Sequence, residues 1–210
     1  MHLSRIQINP ARRGGRKLLG SPQAMHAAVL ASFPDDSDTR GRVLWRVDRD
    51  EQRIWLYVLS GPIPDFSHIV EQAGWQTRED SWVARPYDGL LKRLAEGQTY
   101  GFRLTANPTR THAGKRYAHV TVAQQERWLL DRAEGWGFAV VTTQTGPALT
   151  VHDRRTEQFR RNSAIVTIAK ATFDGVLTVT DAEALRRTLV AGAGRAKGYG
   201  CGLLTLAPAG

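Results

Sequence analysis

The chain of 210 residues has one cysteine, Cys201, two methionines, and fewer acidic than basic side chains, with 20 Asp+Glu against 29 Lys+Arg. A single cysteine excludes an intrachain disulfide and a cysteine-rich zinc site, and suits a reducing cytoplasm. Six histidines are present, but none pairs with another at i, i+3 or i+4 and there is no H-E-x-x-H, so no metal and no cofactor are expected. Asp35, Asp36 and Asp38 are three carboxylates in one short loop, read as solvated turn residues rather than a Mg²⁺ site. No run approaches the ~18 apolar residues of a membrane span, and the alternating start His2–Ile8 is no signal peptide. A soluble, cytoplasmic protein without a membrane partner is expected. The nucleophile elbow G-x-S-x-G and the P-loop G-x-x-x-x-G-K-[ST] are both absent, which sets aside an α/β hydrolase and an ATP-binding loop.

What is present is positive charge. The formal net charge is +9 and the isoelectric point is near 10.3, which favours a polyanionic partner, nucleic acid first. The arginines cluster as Arg12, Arg13 and Arg16 with Lys17, then Arg154 and Arg155, Arg160 and Arg161, and Arg186 and Arg187. Charge concentrated in this way binds phosphate backbones by releasing their counterions. With 41% apolar residues and six tryptophans, the chain can bury two cores.

Leu3, Ile6 and Ile8 mark a first strand, followed by a basic loop from Asn9 to Arg16. Ser21-Pro22 supplies a helix cap and a proline at the first helical position, and Met25, Ala28, Val29 and Ser32 recur at helical spacing until Pro34. Arg42–Asp48 and Arg53–Ser60 alternate as a β-hairpin, Tyr87–Leu94 reads as a second helix, and Gln98–Ala106 as a fourth strand. That order is the split βαββαβ unit. Asn107–Arg116 has turn chemistry and reads as a linker, with Lys115 and Arg116 as further cationic candidates. Beyond it the pattern repeats in outline: strand Tyr117–Val122, helix Gln124–Glu134, strand Phe138–Thr142, basic hairpin Val151–Ile168, strand Val176–Thr180, helix Asp181–Val190 and strand Leu203–Leu206. The expectation is an α+β chain of two tandem ferredoxin-like (RRM-like) βαββαβ domains, residues 1–110 and 111–210.

Three features carry chemistry. Five glycines, Gly192, Gly194, Gly198, Gly200 and Gly202, bracket Arg195 and Lys197 between a helix and the last strand. Glycine permits both left-handed backbone and close approach of N–H groups to an anion, so the loop is either a phosphate cradle or a tight αβ turn. His26 lies beside the Met25/Ala28/Val29 stripe near the positive end of its helix, which favours neutral imidazole and a general base; an ordinary helix-flank histidine has the same pattern. Trp55 and Tyr57, two apart on one strand, are core residues or a surface on which bases stack.

Five segments, Leu3-Ser-Arg-Ile-Gln-Ile-Asn-Pro10, Ser21-Pro-Gln-Ala-Met-His26, Phe102-Arg-Leu-Thr-Ala-Asn-Pro108, Phe173–Asp181 and Gly192–Pro208, together resemble the CasE family in order and spacing. That family comprises the CRISPR repeat-processing endoribonucleases of type I-E Cascade. The resemblance implies two ferredoxin-like domains, cleavage of precursor CRISPR RNA at the base of its repeat stem-loop without metal, a 2′,3′-cyclic phosphate and a 5′-hydroxyl, and retention on the product beside other Cascade subunits. It implies that His26 is catalytic. RNA-binding roles fall to Arg12, Arg13, Arg16, Lys115, Arg116, Arg160, Arg161, Gly194, Arg195, Lys197 and Gly198, with Phe159-Arg160-Arg161 at the position of the family's stem-binding hairpin. In relatives a tyrosine often stands three residues before the histidine and a lysine five after it, where this chain has Gln23 and Ala31. The second catalytic group is thus left open, and with it the alternative of a non-catalytic subunit that binds the repeat hairpin.

Overall fold

The computed structural model describes residues 1–34, 41–78, 80–161 and 164–209, with Arg161 and Ala164 described by their backbone. The chain is α+β with antiparallel sheets and divides into two compact units, Met1–Lys92 with Lys197–Gly200, and Arg93–Ala196 with Cys201–Gly210.

In the first unit β1 (His2–Ile8) leads into α1 (Arg13–Gly20) and α2 (Pro22–Leu30), then β2 (Leu44–Arg49), β3 (Ile54–Ser60), α3 (Ser67–Ala73), β4 (Trp82–Pro86) and α4 (Asp88–Arg93). The sheet order is β2-β3-β1-β4, antiparallel throughout. Period-two alternation along the strands puts Ile6, Ile8, Trp45, Leu56 and Val58 on one face. There they pack with Leu18 of α1, Met25 and Val29 of α2 and Ile69 of α3. Each such buried side chain stabilises by ~1.5–3 kcal/mol.

The basic stretch expected as a loop from Asn9 to Arg16 is helical from Arg13. Its glycines are there for closeness: a Cβ on Gly14 would lie 2.2 Å from the Gln72 carbonyl oxygen, and one on Gly15 would lie 1.9 Å from that of Asn9. The expectation missed α3, short and begun by Asp65, whose carboxylate accepts from the Ser67 N–H at 2.9 Å. It also missed β4, which takes the fourth place in the first sheet.

The strand assigned to that place, β5 (Thr99–Ala106), belongs instead to the second unit, where it runs between a long strand and the C-terminal one. Phe102, Leu104 and Ala106 are buried there. The division therefore falls at Lys92/Arg93 rather than at 110, and Lys197–Gly200 return to the first unit. β6 (Thr109–His112) and β7 (Lys115–Ala118) form a hairpin where a linker was expected. Its two-residue turn, Ala113-Gly114, has φ of 47° and 73°, the left-handed pair that matches strand twist.

α5 (Val122–Ala133) starts with a capping box between Thr121 and Gln124. After β8 (Phe138–Val140), β9 (Thr142–Thr143) and β10 (Gly146–Pro147) come β11 (Leu149–Arg161), β12 (Ala164–Val179), α6 (Ala182–Ala191) and β13 (Leu204–Pro208). The five-stranded sheet runs β11-β12-β5-β13, with β8 also on β12. The basic hairpin and the strand expected separately at Val176–Thr180 share one continuous strand, β12, because Gly175 lets the chain pass the Phe102 ring and the Ala148 carbonyl without a break. Among the described residues no helix is long and apolar enough to cross a membrane.

Candidate functional site

Ser21 caps α2 by accepting from the Ala24 N–H at 3.2 Å, and Pro22 opens the first turn. Buried Met25 and Val29 fix the roll of the helix, which leaves the neighbouring His26 half-buried on its flank. Against that flank packs a 3₁₀ turn, Lys197–Tyr199, contributed by the glycine loop. The Tyr199 ring centroid lies 6.4 Å from that of His26 at 55°. A Cβ on Gly198 would sit 3.5 Å from both Cε1 and Nε2 of the imidazole. The Gly198 backbone thus lies close against that edge of the ring. Lys197 is half-buried, and burial, reinforced by the Arg42 charge, holds its ammonium below the usual lysine range.

The two readings of the glycines divide by position. Gly192, Gly194, Gly200 and Gly202 have φ between 73° and 89°, the region that Cβ disfavours. Gly200 is doubly constrained, since a Cβ there would lie 2.6 Å from the Trp45 ring. Gly198 does not share the left-handed backbone. Its nearest neighbour is the His26 ring, at ordinary van der Waals distance from a built Cβ.

Of the first basic cluster, Arg13 and Arg16 are exposed. Arg12 turns its guanidinium onto the end of α3, donating to the carbonyls of Glu71 at 2.5 Å and Gly74 at 3.2 Å, a cation at a helix C-terminus. Arg16 also donates to the Ala11 carbonyl at 2.5 Å.

The remaining sequence candidates lie in the second unit. Lys115 and Arg116 are exposed on β7, and Arg195 is exposed beside Gly194. Arg160 is exposed on β11, opposite Ile165 of β12. The Arg161 side chain lies outside the described residues, as do Asp35, Asp36 and Asp38. Below Arg160 the hairpin is held by its own charges. Arg155 pairs with Asp153 and with Glu157 at 2.9 Å, and buried Lys170 pairs with Glu157 at 2.6 Å. Arg154 donates to Gln125 at 2.9 Å and to the Val120 carbonyl. Arg154 and Arg155 therefore anchor the hairpin.

Sequence reasoning missed Arg42 and Tyr199. Both flank marked features, one opening the first hairpin and one inside the glycine loop, but only the fold sets the Arg42 charge near Lys197 and packs Tyr199 against α2. Three of the other five histidines hold structural bonds. His2 bonds the Gly61 carbonyl at 2.9 Å, His68 that of Ala28 at 3.0 Å, and His152 the Asp174 carboxylate at 3.0 Å. Complete burial pushes the Cys201 thiol up to about 12, which rules out a thiolate nucleophile near neutral pH. Among the described residues no cluster of three His, Cys, Asp or Glu has metal-binding geometry.

The model of the CRISPR associated protein family matches residues 1–208. The chain belongs to that family. The CRISPR-associated endoribonuclease Cse3 of Thermus thermophilus is 31% identical, with 99% of this chain and 100% of that protein covered. The CRISPR system Cascade subunit CasE of Escherichia coli K12 is 34% identical over the same shares. Among solved structures, Thermus thermophilus Cse3 bound to an RNA representing a pre-cleavage complex superposes with a TM-score of 0.84 at 30% identity, covering 99% of this chain and 98% of that one.

Proposed function

We propose that this chain is a metal-independent endoribonuclease that binds the CRISPR repeat hairpin, cuts precursor CRISPR RNA at its base, and remains on the product within Cascade. One observation carries the site assignment: the Lys197–Tyr199 turn brings a cation, a phenol and a side-chain-free backbone position onto the single half-buried flank of α2 that bears His26. The relatives named for endoribonuclease activity and for Cascade support the reaction and the partners. Each unit supports a ferredoxin-like reading. The first has the order β1-α-β2-β3-α-β4 around a β2-β3-β1-β4 sheet, and the second repeats it with β5, α5, β8/β11, β12, α6 and β13.

The reaction needs three things: loss of the 2′-OH proton, stabilisation of charge on the phosphorane, and a proton for the leaving 5′-oxygen. The 2′-oxygen attacks phosphorus and the P–O5′ bond breaks, leaving a 2′,3′-cyclic phosphate and a 5′-hydroxyl. His26 moves the proton at the ring edge that lies beside Gly198. The Lys197 ammonium faces the non-bridging oxygens, and the Tyr199 hydroxyl supplies a second protic group. Lys197 and Tyr199 thereby take over what the tyrosine and lysine of relatives would do at Gln23 and Ala31, both exposed here. Arg13, Arg16, Lys115, Arg116, Arg160, Arg161 and Arg195 hold the RNA, while Arg12 supports α1 and α3 from below.

Cleavage of a repeat RNA should proceed at an unchanged rate in excess EDTA and stop when the nucleotide upstream of the cut carries a 2′-deoxy sugar. Activity that disappears on chelation and returns with Mg²⁺ would contradict the mechanism.

A further inference from the structure

The first sheet has a second face, opposite the helices and therefore opposite His26. Across it run Arg46, Tyr57, Arg5 and Val83 in one register row, with Trp55 and Gln7 in the next. Trp55 and Tyr57 are half-buried on this face rather than enclosed in the core. Around them is a concavity of about 550 Å³ whose lining among the described residues includes Arg5, Arg53, Arg78 and Arg85 with the carboxylate of Asp80. That volume is within the ~300–1,000 Å³ of ligand sites. Arg5 stacks on the Trp55 ring, 4.9 Å from its centroid, and Arg78 donates to Gln7 at 2.6 Å. Arg46 is accounted for by its bidentate pair with Asp48 at 2.6 and 2.9 Å. Arg5, Arg53 and Arg85 are exposed and make no salt bridge among the described residues.

We propose that this face is a second RNA site, taking single-stranded nucleotides whose bases stack on Trp55 and Tyr57 and whose phosphates meet Arg5, Arg53 and Arg85. Two rings at i and i+2 on one strand are ~6.5–7 Å apart. That spacing suits successive unstacked bases, and base–aromatic stacking is indifferent to sequence. The rings already carry guanidinium groups, Arg5 on Trp55 and Arg46 5.6 Å from the Tyr57 centroid. An acidic polypeptide would engage the cations alone, whereas a nucleotide engages both ring and cation, so the combination favours RNA. The inference rests on RNA being the partner of this chain. It adds a site for an unpaired segment, distinct from the one for the stem.

The test uses the full chain and a fluorescein-labelled, unstructured eight-nucleotide RNA, followed by anisotropy. The wild type should bind it. The Arg53→Ala/Arg85→Ala variant should bind at least tenfold more weakly, with a log K against log[salt] slope shallower by about 1.4 for two lost single-strand phosphate contacts. Trp55→Leu should weaken binding at constant salt slope. Hairpin affinity should be unchanged in all variants, and saturating hairpin should not displace the octamer. Thermal melts confirm that each variant is folded, and the exposed arginine pair keeps the test decisive if Trp55→Leu is not. No octamer binding, equal octamer affinity in the arginine variant, displacement by hairpin, or displacement by a polyglutamate peptide would each overturn the proposal. Loss of hairpin cleavage or binding in the wild type would instead count against the function proposed above, because the octamer is read separately.

Discussion

In the proposed mechanism the chemistry turns on the charge of Lys197, in the turn packed against α2. Lys197 has an ordinary sequence context, yet burial and then Arg42 lower its proton affinity. Its ammonium is therefore disfavoured by folding, and any stability cost it imposes is present at low pH and relieved as pH rises through its lowered pKa. The catalytic consequence runs the other way. If the ammonium stabilises the phosphorane, single-turnover cleavage should decline on the alkaline side at a pH below the ~10.4 of free lysine. Lys197→Arg, whose guanidinium stays charged at any accessible pH, should move that decline upward. Lys197→Ala should lower the rate by ~10²–10³, the usual scale for removing one transition-state donor. Coincident alkaline limbs for wild type and Lys197→Arg would show that the Lys197 charge is not used.

At the scale of the element, the glycine loop has two jobs in the proposed mechanism, carried by different residues, and substitution should separate them. Gly200→Ala places a Cβ into the Trp45 ring at a φ of 81°. It should lower stability by ~1–3 kcal/mol, seen in thermal melts. Gly198→Val meets neither obstacle, so its melting temperature should stay near wild type while cleavage falls at least tenfold, because the branched side chain crowds the His26 ring edge. Equal loss of stability in both variants would mean that the loop is only a turn.

Elements with strong periodic patterns were legible in the sequence: α2 from its Ser-Pro start, the β2–β3 hairpin, α5 and α6. Less legible were elements set by tertiary partners. α1 looks like a loop because Gly14 and Gly15 serve packing, and α3 is too short to show a period. β5 alternates correctly but nothing local says which sheet it joins. His26 and the glycine loop were legible as separate features. That Lys197, Gly198 and Tyr199 close on His26 depends on a return of the chain to the first unit after more than a hundred residues, which no local pattern encodes.

For the whole molecule, the excess of nine positive charges favours attraction to RNA without specifying chemistry, and the proposed grip on it falls to exposed Arg160, on a hairpin braced by Arg154, Arg155 and Lys170. A subunit that binds the repeat hairpin without cutting it would carry the same surface. The difference lies in His26, which is assigned to move protons and not to hold phosphate. The most direct measurement is single-turnover cleavage of repeat RNA by the wild type and His26→Ala, with hairpin affinity measured in parallel. The wild type should cleave, and His26→Ala should not, while its hairpin affinity weakens by less than about 1.4 kcal/mol, a factor of ten. Cleavage by His26→Ala at the wild-type rate, or no cleavage by the wild type despite tight hairpin binding, would contradict the assignment.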